Sequence, residues 1–210
     1  MPTAFEAHNI GIPRNLQPDP TPVGAELLRI LYQFPMCDML IARYQPSLTG
    51  FAVPDTIIHA IIGSIRHTLK HFDEQTLTTQ LAQFAHMIFG NSAQPMAIDK
   101  SMTVEQYCAL FTGPNFRWEA IGVYFAVAGM ALVGTPENDP VLLAASIHKE
   151  TLLSVLIEAS DLCIKFCEHP AAVNELLVLL LYNDSKLKTH RYGDIGMFYP
   201  SSKREEALIV

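Results

Sequence analysis

Between Leu110 and Leu132 the chain reads LFTGPNFRWEAIGVYFAVAGMAL, and the fold turns on this stretch. Thr112-Gly113-Pro114-Asn115 is a turn by composition, because glycine and proline both interrupt regular structure. From Phe116 to Val133 the run is apolar for about five turns of helix, too long for a strand, and reads as a buried helix that Asn115 caps. Trp118, Ile121, Phe125 and Leu132 make a continuous apolar face, and Gly122 and Gly129 let a second helix approach closely. Arg117 and Glu119 are the charges of this run. Two apart, they do not meet across a helix surface, so each needs a partner elsewhere if buried, with Asp194 a candidate for Arg117.

The flanks repeat the helical pattern. Residues 1–22 carry Pro2, Pro13, Pro18, Pro20 and Pro22 among polar residues and read as a flexible leader. Val23 to Leu31 has helical spacing, Pro35 breaks it, and Met36 to Tyr44 resumes it. After Pro54 and Asp55, the residues Ile57, Ile58, Ile61, Ile62, Ile65 and Leu69 mark a helix with one buried face. A helix from Glu74 to Phe89 ends at Gly90-Asn91-Ser92, and a short one runs from Thr103 to Phe111. Asn138 or Asp139 caps the next helix, with Pro140 at its first position, and its pattern extends to Cys167. Beyond Pro170 a last helix ends near His190. No stretch alternates long enough for a strand, and no Asn-Gly or Asp-Gly turn separates apolar runs. The expected fold is all-α, an irregular array of about seven to eight packed helices on a single core. The divisions are the leader 1–22, a helical domain 23–194 and a tail 195–210.

A net charge of −7 and a pI near 5.5 argue against broad contact with a phosphate backbone. The one basic cluster, Lys186, Lys188, His190 and Arg191, reads as a solvated helix end that complements its own dipole. Half the residues are hydrophobic, only 17% are charged and the mean hydropathy is +0.21, so some apolar surface is left for a partner. Cys37, Cys108, Cys163 and Cys167 are scattered, which suits a reducing compartment. The N-terminus lacks the basic start and apolar block of a secretory signal. Ala120 to Pro136 reaches only the lower limit for a membrane span and contains Gly122, Gly129 and Gly134, so it reads as core.

Catalytic signatures are missing: no glycine-rich phosphate loop, no serine elbow flanked by glycines, no histidine pair enclosing a glutamate. Gly63-Ser64 lies inside a helical pattern as a tolerated pair of small residues. His67 and His71 stand one turn apart beside His59, Arg66 and Lys70, without a third ligand. Cys163, Cys167 and His169 form the most metal-like group, yet cysteines on an apolar helix face belong to the core. These residues predict no enzyme, cofactor or metal site.

The string FTGPNFRWEAIG resembles the phenylalanine-threonine-glycine, then arginine-tryptophan-glutamate, pattern of the regulatory (middle homology) region of fungal binuclear zinc-cluster transcription factors. LAQFAHMIFGNSAQPMAI before it, and ELLVLLLYNDSKLKTHRYGD after it, are similar to that family's segments in order and spacing. The resemblance covers roughly Pro22 to Asp194. Its motif positions are Phe111, Thr112, Gly113, Asn115, Arg117, Trp118, Glu119, Gly122, Tyr192, Gly193 and Asp194. It implies a nuclear or nucleocytoplasmic regulatory domain that acts through transcription factors or co-regulators, as a homodimer or under a small effector. The family's zinc cluster needs six cysteines in a compact basic array, whereas this chain spreads four, so no DNA binding by the chain alone is expected. The family's helices also continue past the tyrosine-glycine-aspartate, which implies a truncated domain here. Two rival readings are an apolar small-molecule-binding domain with the helix around Tyr124 and Phe125 as a pocket wall, and an inactive truncated product.

Overall fold

The computed structural model describes residues 19–44, 53–168 and 174–193. Among them the chain forms α1 (Thr21–Gln33), α2 (Met36–Tyr44), α3 (Asp55–Leu69), α4 (Leu77–Ser92), α5 (Val104–Ala109), a 3-10 turn (Gly113–Asn115), α6 (Trp118–Gly134), α7 (Pro140–Ala145), α8 (Lys149–Phe166) and α9 (Glu175–Tyr192). The described residues include no strand, and the helices share one hydrophobic core, so the fold is all-α. Asp194, the tail 195–210 and most of the leader lie outside the described residues.

The described residues hold nine α-helices where about seven to eight were expected, because the span read as one helix to Cys167 is two. Asp139 accepts from the Val141 N–H at 2.9 Å and starts α7 as predicted, but Ser146 takes a left-handed conformation (φ 53°) and stops it after six residues. At the other end α1 begins at Thr21, inside the expected leader, since Pro22 suits a first helical turn, where its missing N–H costs nothing.

Helix α6 is apolar on every side, and each residue from Trp118 to Leu132 is buried. It packs against α8 and α9, and also against α2, α3 and α4. Two glycines set the closest approach. A β-carbon on Gly122 would stand 2.7 Å from Leu180 and 2.8 Å from Cys163, and one on Gly129 would stand 2.6 Å from Leu187. Gly122 and Gly129 are seven residues apart, as are Leu180 and Leu187, so α6 and α9 run parallel in register. Helix α8 runs the other way, with Cys163 beside Gly122 and Lys149 at the far end of α6. There the Lys149 ammonium donates to the carbonyls of Val133 and Thr135, at 3.0 and 2.7 Å, and so neutralises the negative end of α6. Among the described residues no helix is long and apolar enough to cross a membrane.

Candidate functional site

Arg117 immediately precedes α6, with an extended backbone (φ −132°, ψ 151°). Its side chain therefore leaves the helix surface and folds back over the first turn. Nε and Nη2 donate to Glu119 Oε1 at 3.2 and 3.0 Å. This overturns the expectation that the two residues could not pair: the helix-surface rule holds only when both lie within the helix. The other candidate, Asp194, lies outside the described residues.

The rest of the guanidinium closes α4. Nη1 donates to the carbonyls of Asn91 (2.6 Å) and Gln94 (2.9 Å), and Nη2 to that of Ser92 (3.1 Å). All five N–H donors are thereby used. Glu119 accepts in addition from Asn174 Nδ2 at 2.8 Å and from the Ser92 hydroxyl at 3.1 Å. That hydroxyl also accepts the Trp118 N–H at 2.8 Å. Asn174 caps α9 by accepting from the Leu177 N–H at 3.0 Å. One buried ion pair thus joins the end of α4 to the starts of α6 and α9, with its cation at a helix C-terminus and its anion in a first turn.

The loop before α6 is tied down as tightly. Gly113 has a positive φ (61°), the conformation that favours glycine, and its N–H donates to the Ser64 hydroxyl at 2.7 Å. Ser64 is therefore more than the tolerated small residue of the sequence reading. The Thr112 hydroxyl donates to the Cys108 carbonyl at 2.8 Å. Asn115 does not cap α6 as expected. It sits in the 3-10 turn, two residues too early, and donates to the Ala109 carbonyl at the end of α5 at 2.9 Å. Asn91 reaches the same loop from α4, donating to the carbonyls of Pro114 and Phe116. Phe111 and Phe116 are fully buried, and Trp118 completes a ring triangle with Phe89 and Phe166.

The motif positions from Phe111 to Gly122 therefore converge on one junction. Tyr192 and Gly193 do not join it. They end α9, a helix of about 27 Å whose opposite end carries Asn174. Gly193 closes α9 with φ 70° and an N–H donated to Thr189 at 2.8 Å.

Burial, reinforced by Glu119, raises the Cys163 and Cys167 thiols above their usual range, so neither is a ready nucleophile or metal ligand. Burial and the neighbouring Asp38 push Cys37 up to about 12. His169 lies outside the described residues, and among the described ones no group of three or more His, Cys, Asp or Glu is placed to hold a metal ion. His67 and His71 meet edge to face, with ring centroids 4.9 Å apart.

The basic cluster is dispersed. Lys188 bridges Asp161 and Asp184, Arg191 pairs with Glu150, and Lys186 lies 5.2 Å above the Tyr182 ring. Burial works to lower Lys188 and the two aspartates overcome it, so its pKa is raised; burial also raises Asp184, against the pull of Lys188. The sequence reading missed this cluster, although Asp184 and Lys188 have the four-residue spacing of a helix pair.

It also missed a third polar group. Tyr124 donates its hydroxyl to Asp38 at 2.7 Å, and Arg66 Nε donates to the other oxygen of the same carboxylate. Asp38 is buried, Tyr124 lines a cleft beside it, and Phe125 is fully enclosed in the core.

Comparisons with protein-family models, with curated proteins and with solved structures find no match to this chain.

Proposed function

We propose that this chain is a transcription-regulatory domain of the zinc-cluster factor type that acts through protein partners in the nucleus. The motif residues from Phe111 to Glu119 are spent on joining helices and leave no reactive group, which favours a scaffold over an enzyme. One observation carries the partner reading. Helix α9 holds Val178, Leu181 and Tyr182 60%, 45% and 44% exposed, at the spacing by which one helix meets another. The partner that fits is an amphipathic helix of a transcription factor or co-regulator. The dispersed basic residues and the net charge of −7 speak against DNA as the direct partner.

Tethering the chain to an unrelated DNA-binding module tests this reading. The fusion should change reporter transcription several-fold, and Val178→Asp with Leu181→Asp should abolish the change while the melting temperature stays put. A folded fusion that leaves the reporter at its baseline overturns the proposal.

A further inference from the structure

Two clefts share one wall. The smaller, about 230 Å³, is lined by Leu31, Tyr32, Ile65 and Tyr124. The larger, about 720 Å³, opens beside α7 and is lined by Phe34, Met39, Val141 and Ile147. Pro35, Asp38 and Arg66 line both. The larger one falls within the size range of sites that take small organic molecules, about 300 to 1,000 Å³.

The shared wall is charged unevenly. Asp38 is buried and already serves two donors, Tyr124 and Arg66 Nε. The Arg66 side chain is 59% exposed and spends only Nε, so both of its terminal amino groups are without a hydrogen-bond partner among the described residues. Lys70 lines the smaller cleft one helical turn further on, also without a hydrogen-bond or ion-pair partner among those residues, and adds a second cation against the one buried carboxylate. A guanidinium edge held from behind by an aspartate offers the planar fork that a carboxylate accepts in bidentate fashion.

We propose that this wall is the binding site of an amphiphilic organic anion, with its carboxylate on the Nη groups of Arg66 and its apolar body in the larger cleft. Lys70 supplies further attraction from the other side. The site would be where the small effector of the regulatory reading acts; that consequence rests on the reading above, but binding itself does not.

The probe is decanoate added to the purified chain, with decylamine and decanol as controls of equal chain length. Decanoate should bind saturably and raise the melting temperature, with the two controls weaker by about tenfold or more, the scale of one charge-assisted pair. Arg66→Lys, which keeps a charge beside Asp38 but loses the fork, should weaken decanoate by a similar factor. Met39→Trp places a larger side chain on the wall of the larger cleft while leaving residues Asp38 and Arg66 unsubstituted, and should abolish binding while the protein still melts cooperatively. Equal binding of decanoate and decylamine, no binding to the folded chain, or full binding by Met39→Trp overturns the site. A silent reporter with decanoate bound sinks the regulatory reading alone, whereas an active reporter with no decanoate binding sinks this inference alone.

Discussion

Leu180 occupies the space that a β-carbon on Gly122 would need, with its methyl groups 2.7 and 2.8 Å from that position. The contact repeats one heptad later, where Leu187 sits over Gly129. Gly122→Ala would press on Cys163 Cβ as well, an atom close to the backbone of α8 that has little freedom to give way. It should destabilise the protein by about 1–3 kcal/mol, read from urea midpoints. Gly63→Ala, with nothing within 4 Å, should be neutral or stabilising by up to about 1 kcal/mol.

Stability should fall in alkali. Cys37, Cys163 and Cys167 are buried with raised thiol pKa values, and in the unfolded chain they ionise near about 8.5. Above that pH the unfolded state has lost protons that the folded state keeps, so each rise in pH favours unfolding. The loss is about 1.4 kcal/mol per pH unit for each thiol until its folded pKa is reached. Tyr124, raised by burial and by the charges of Cys37 and Asp38, joins only above about pH 10. Urea midpoints across this range should slope downward, and Cys37→Ala should reduce the slope by one thiol's share. A flat profile contradicts the burial.

Asn183 lies between Leu180 and Leu187 in the seam with α6, fully buried, with its carbonyl oxygen unbonded among the described residues. Among those residues its amide donates only to the Leu179 carbonyl, within its own helix. Asn183→Leu should raise stability by about 1 kcal/mol or more, since removing an unsatisfied buried group gains its desolvation. A loss on calorimetry would mean that the amide has a further partner.

Much of the scaffold was legible because it depends on neighbours in sequence. The apolar run gave α6, its glycines gave the close approach, and Asp139-Pro140 gave the start of α7. What escaped depends on partners far along the chain or on backbone conformation. Tyr124 and Asp38 are 86 residues apart, Ser64 and Gly113 are 49 apart, and neither pairing has a periodic signature. The break at Ser146 needs a left-handed conformation that serine rarely adopts, so no glycine announced it. Arg117 and Glu119 escaped for a third reason. The helix starts two residues later than Phe116 and Asn115 suggested, which moves Arg117 off the helix and onto its cap.

The central claim is that the segment from Phe111 to Gly122 is a structural joint, and a double-mutant cycle on its ion pair tests that most directly. Arg117→Met and Glu119→Met should each cost about 3–5 kcal/mol, because each leaves a buried charge unpaired. The double variant should cost less than the sum by about 0.5–3 kcal/mol. Two small and additive losses, measured by urea unfolding, would show that the pair does not hold α4, α6 and α9 together and would contradict the account.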